Sequence, residues 1–158
     1  MNDWINKELQ GFAEMEKEKQ RQESRRTLIT SQSSRLWGDL KFAIQSSVQQ
    51  LNQTPELRKR VGELKYQDGI DRIEVTKQTF PAIYLTITNH SRDFGIERLV
   101  RANVANPQDD KSRETLDLEL DSNDHIFMIN KAGKPLTVDD AVHYLFAPFL
   151  HPELLGVE

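Results

Sequence analysis

The stretch Leu51-Asn52-Gln53-Thr54-Pro55-Glu56-Leu57-Arg58-Lys59-Arg60-Val61-Gly62-Glu63-Leu64 decides the fold, because the chain changes its pattern across it. Before Thr54 there is no proline, and apolar residues recur at helical spacing; after it come all six prolines, from Pro55 to Pro152, and apolar residues alternate with polar ones. Periods of 3.6 and of 2 are the signatures of helix and strand. Thr54-Pro55-Glu56 itself reads as a helix start, a capping residue followed by proline at the first helical position, so one short turn is expected over 55–60.

Downstream of that turn, Val61–Gln67 and Ile70–Gln78 read as two strands joined at Asp68-Gly69, a dipeptide suited to the positive backbone angles of a tight hairpin. Ile83, Leu85 and Ile87 mark a further strand with Tyr84, Thr86 and Thr88 on its other face, and Val100, Ala102 and Val104 mark another over Ile96–Val104. The polar run Asn106–Arg113 reads as a long loop. Leu116, Leu118 and Leu120 alternate with Asp117 and Glu119, giving a strand with one wet face. Ile126–Ile129 is apolar on both faces. Thr137 with Asp140 three residues on resembles a capping box for a last helix carrying Val138, Ala141, Val142, Leu145 and Phe146, which Pro148 is expected to end. Strands joined by short turns without helical crossovers exclude a doubly wound parallel sheet. The expectation is α+β: an N-terminal helical arm and an amphipathic helix, an antiparallel meander sheet of about five or six strands, and a C-terminal helix. A strongly curved sheet closed by that helix is the structural alternative.

Upstream of the boundary, Leu36, Trp37, Leu40, Ile44, Val48 and Leu51 form a stripe long enough to anchor a helix over Ser34–Asn52 on the sheet. Phe42 points nearly opposite this stripe, either an exposed ring or a contact to the first helix or to another subunit. The hydroxyl cluster Thr27, Thr30, Ser31, Ser33, Ser34 reads as a helix break followed by a cap, which separates an arm over 1–30 from a single α+β domain over 31–158. In the arm, Ile5, Leu9 and Phe12 fall at intervals of four and three with Trp4 and Met15 flanking. The same heptad then lands on Glu16, Lys19, Glu23 and Arg26, which excludes a sustained coiled-coil seam. Opposite charges three apart, Glu14 to Lys17, Glu16 to Lys19, Glu18 to Arg21 and Glu23 to Arg26, mark its second half as a solvated strut.

The length of 158 residues suits one compact domain. There is no cysteine, which excludes disulfides, thiolate metal sites and cysteine nucleophiles. No run approaches the roughly eighteen apolar residues of a membrane span, and the first twenty positions carry alternating charges instead of an apolar signal core, so a soluble, cytoplasmic chain without membrane attachment is expected. The formal charge of −4 hides a gradient: residues 1–60 carry 11 Lys+Arg against 8 Asp+Glu, residues 61–106 carry 6 against 6, and the rest 4 against 11. Nucleic-acid binding through Arg21, Arg25, Arg26 and Arg35 is disfavoured by the interleaved Glu14, Glu16, Glu18 and Glu23, and by the lack of a stacking aromatic between Phe12 and Trp37.

Catalytic patterns are thin. The seven glycines never cluster into a phosphate-binding loop, and no nucleophile elbow, paired-histidine helix or calcium loop is present. Asp139 and His143 lie one turn apart, but a dipole contact for Asp139 and an exposed His143 are the simpler reading. Asp121, Asp124 and His125 read as hairpin-turn chemistry rather than a cation site. His90, Ser91, Arg92 and Asp93 are adjacent, so they do not converge as a triad does. No cofactor or metal is implied. Two functions follow as expectations: a non-enzymatic protein-interaction or self-association module contacting its partner through Trp4, Ile5, Leu9, Phe12 and Phe42, or a small-ligand or catalytic pocket on a curved sheet lined by Tyr66, Tyr84, His125 and Tyr144.

Overall fold

The computed structural model describes residues 2–101 and 109–155. One helix, α1, runs unbroken from Asp3 to Gln53 and is followed by the short α2 (Pro55–Val61). Seven strands follow: β1 (Leu64–Asp68), β2 (Arg72–Lys77), β3 (Ala82–Asn89), β4 (Asp93–Arg101), β5 (Asp109–Leu120), β6 (Ile126–Ile129) and β7 (Pro135–Leu136). They form one antiparallel sheet in the order β1 to β7, a plain meander. Helix α3 (Val138–Leu150) and a 3-10 turn (Pro152–Leu155) close the described chain. The class is α+β.

One face of the sheet carries the core. Inward positions alternate along each strand: Ile73 and Val75 on β2, Ile83, Leu85 and Ile87 on β3, Phe94, Ile96 and Val100 on β4, Leu116, Leu118 and Leu120 on β5, all buried. The C-terminal half of α1 lays Trp37, Leu40, Ile44 and Val48 onto this face, and α3 adds Ala141, Leu145, Phe146 and Phe149. Each fully buried Leu, Ile or Phe of this set stabilises the fold by about 1.5–3 kcal/mol relative to exposure. Trp37 stacks at a tilt on Phe94, 5.1 Å between ring centroids, and its indole N–H donates to the Ile70 carbonyl at 3.1 Å. Lys41 Nζ donates to the neighbouring Gly69 carbonyl at 2.7 Å, so α1 also holds the β1–β2 turn.

Several elements differ from the sequence reading. The expected break at Thr27–Ser34 is absent. The hydroxyls satisfy themselves on the preceding turn, Thr27 Oγ1 donating to the Glu23 carbonyl, Ser31 Oγ to Leu28 and Ser33 Oγ to Thr30, instead of capping a new helix. The heptad that begins at Ile5, Leu9 and Phe12 continues in phase through Thr30 to Ser33, Trp37, Leu40 and Ile44, and that continuity was the signal for one helix. Among the described residues the strands number seven, because Pro135–Leu136 adds a two-residue strand on β6. Val61 ends α2 instead of opening β1; the chain reverses at Gly62, whose φ of 89° is a conformation that favours glycine. The β1–β2 turn spans Gly69–Asp71, closed by Gly69 N–H to the Arg72 carbonyl, and Gly69 does not use a positive φ. Part of the expected loop Asn106–Arg113 is strand, since β5 starts at Asp109 and pairs with β4; the rest of that loop, with Ala102 and Val104, lies outside the described residues. Pro148 sits inside the last turn of α3, which continues to Leu150. The capping box of α3 is as read, with the Thr137 hydroxyl accepting from Asp140 N–H and the Asp140 carboxylate accepting from Thr137 N–H.

Candidate functional site

Helix α1 divides into two halves of different surroundings. At about 1.5 Å per residue its 51 residues span about 76 Å, and only the part from Ile29 onward lies on the body. Residues 12–28 are all exposed, as are most of 2–11, with Ile5 and Gly11 half-buried. This projecting half carries Trp4, Leu9, Phe12 and Met15, exposed to 65, 54, 61 and 68%. With Ile5 they lie on one side of the helix, and that is the side which, further along, becomes the core stripe. The helix leaves the sheet, so the same stripe is uncovered at its far end.

Between stripe and body the helix is charged. Of the i,i+3 pairs read from the sequence, Glu18 and Arg21 close to 3.5 Å; Arg25 reaches back to Glu119 on β5 at 3.7 Å. Exposed pairs contribute a few tenths of a kcal/mol each, so Glu18–Arg21 adds a little to helicity and Arg25–Glu119 does not by itself dock the arm. The join to the body is made just after, where Gln32 donates to the Asp124 carbonyl at 2.7 Å and accepts from Ile126 N–H at 2.9 Å.

Phe42, the remaining residue named for partner contact, is 73% exposed on the far side of the same helix. It stands at the rim of a cleft of about 610 Å³ between α1, α2 and α3, floored by Leu51, Leu57, Val142, Phe146 and Leu150. Asp139 and His143 on α3 are the charged or titratable groups lining it. Sequence reasoning placed Phe42 outward but did not find the cleft, because α1 and α3 are brought together only by packing on the sheet.

A polar clamp ties α3 to the sheet. Arg98, inward on β4 and 93% buried, donates from Nη1 to Glu114 Oε1 on β5 at 3.0 Å. Tyr144 on α3 donates its hydroxyl to the other Glu114 oxygen at 2.7 Å, and its ring lies 5.7 Å from the guanidinium carbon. Burial, then the Glu114 carboxylate, push the Tyr144 hydroxyl up to about 12. Arg98 and Glu114 were missed in sequence; the signal was a charge at an inward position of β4, between Ile96 and Val100.

The pocket residues proposed from sequence are dispersed. Tyr66 is on β1, bonded to Asp68 at 2.8 Å and raised by burial and by that carboxylate; Tyr84 is on the opposite sheet face; His125 is an exposed turn residue; Tyr144 is in the clamp. None of the five main clefts among the described residues brings two of them together. Asp121 is held below the ordinary carboxylate range by the backbone N–H groups of His125 and Asn123, which is turn chemistry. His90 Nδ1 meets Asp93 Oδ1 at 2.7 Å within its own loop. His143 is exposed. Among the described residues no helix is long and apolar enough to cross a membrane. No known family model, curated protein or solved structure matches this chain.

Proposed function

We propose that this chain is a protein-interaction module whose contacting element is the projecting half of α1. The observation that carries this reading is the uncovered stripe Trp4, Leu9, Phe12 and Met15 on a helix that has left its own sheet. Most helical stability in proteins comes from packing an apolar face, which this half of α1 leaves uncovered, and large aromatic side chains at helical spacing are the anchors of helix-in-groove recognition. Aromatic anchors of this kind dominate binding energy where they are desolvated. The body then serves as a mount, with Gln32 held to Asp124 and Ile126 where the helix leaves it.

A photoreactive side chain at position 12 tests this. It is expected to give a discrete cross-linked product that the same group at position 21, in the charged section, does not give. Equal, diffuse labelling from both positions would remove the reading.

A further inference from the structure

We infer that Lys77 is a covalent binding site for a small aldehyde, which its side-chain amine takes up as an imine. The site lies in the body and is independent of the arm. Lys77 closes β2 on the core face of the sheet, in line with Ile73 and Val75, and is only 4% exposed. Its register neighbours are Leu64 on β1 and Ile83 on β3, both buried, so aliphatic side chains flank it on either side. Among the described residues no carboxylate pairs with it and no acceptor takes its N–H groups. Polar side chains at this end of the sheet are engaged elsewhere: Asn52 bonds both the N–H and the carbonyl of Leu64, and Thr79 donates to the Val61 carbonyl.

The other buried cation shows what Lys77 lacks. Arg98, also inward, is bonded to Glu114 and faces the Tyr144 ring. A cation taken out of water without such a partner is costly, and lysine, unlike arginine, escapes that cost by giving up its proton. Burial accordingly pushes the Lys77 ammonium below its ordinary range.

The amine is nonetheless open to reagents. Among the described residues Arg98 Nε is the one side-chain polar atom both sealed from solvent and unpartnered. Lys77 Nζ has no partner, so it is not sealed: the stem is buried and the tip reaches water. Lys77 lines none of the five main clefts, so the opening admits a carbonyl compound of a few atoms and not a bulky one.

A neutral amine with a free lone pair in an apolar setting is a carbonyl nucleophile. The Nζ lone pair bonds to the aldehyde carbon as the carbonyl π pair moves to oxygen, and one N–H proton passes to that oxygen. The C–O bond then breaks as nitrogen forms its second bond to carbon, and the hydroxyl leaves as water with the remaining N–H proton. Nothing is oxidised or reduced.

Limited reductive methylation of the full chain tests this, with formaldehyde as the aldehyde, cyanoborohydride to fix the imine, and each lysine quantified by peptide mass spectrometry. At pH 7 Lys77 is expected to react about tenfold faster than the exposed Lys7, Lys131 and Lys134. That lead is expected to shrink at pH 10, where the exposed lysines also lose protons, and to vanish in guanidinium, which removes the burial. Lys77 reacting no faster than the exposed lysines at pH 7 would overturn the inference. So would a lead that survives unfolding, because it would belong to the local sequence and not to the fold.

Discussion

Two leucines on the same helix, Leu9 and Leu40, differ in everything but chemistry, and replacing each by alanine separates the two halves of α1 energetically. Leu40 is fully buried under the sheet, so Leu40→Ala leaves a cavity and is expected to cost about 2–5 kcal/mol. Leu9 is 54% exposed and touches no part of the body, and alanine is as good a helix former, so Leu9→Ala is expected to cost less than about 0.5 kcal/mol in dilute protein. The assay is equilibrium urea unfolding at a concentration low enough to keep the chain monomeric. With a slope of about 2 kcal/mol/M for a domain of this size, the Leu40→Ala midpoint falls by about 1–2.5 M while that of Leu9→Ala stays within about 0.3 M of the parent. A loss above about 1.5 kcal/mol for Leu9→Ala in the monomer would refute the reasoning, since it would mean that the arm is packed on its own body.

Other outcomes follow from the clamp and the backbone. Glu114→Ala leaves Arg98 buried without its counter-ion and is expected to cost about 3–5 kcal/mol in urea unfolding, more than the roughly 1 kcal/mol of Tyr144→Phe; similar losses for the two would show that the ion pair is not sealed from water. Gly62→Ala places a Cβ 2.5 Å from Thr79 Oγ1 at a φ of 89° and is expected to destabilise by about 1–3 kcal/mol, while a melting temperature equal to the parent's would contradict that geometry. Because Tyr144 is raised from 10 to about 12 in the folded state, its contribution is complete below pH 10 and is lost as pH rises towards 12; stability measured at pH 9 and 11.5 should fall less for Tyr144→Phe than for the parent, and equal falls would refute the assignment.

How far the sequence foretold this molecule varies by element. The meander, the Trp37 to Val48 stripe, the outward Phe42 and the Thr137–Asp140 cap were legible because each depends on spacing within a few residues of itself. The continuity of α1 was misread because a serine or threonine hydroxyl serves equally as a cap or as a donor to the previous turn; Thr27, Ser31 and Ser33 take the second role. Arg98 and Glu114 meet because of the β4–β5 register, and the cleft exists because α3 returns beside α1. Neither relation is local, so no periodicity announces it. The stripe at Trp4 to Met15 was visible as a pattern, but whether its own sheet covered it was a question of where the helix leaves the body.

Hydrogen exchange along α1, read residue by residue in dilute protein, tests that division most directly. The account predicts a step near Ile29, with fast exchange from Ile5 to Arg26 and slow exchange from Ser33 to Val48. Uniformly slow exchange from Ile5 to Val48 in the dilute chain would contradict it.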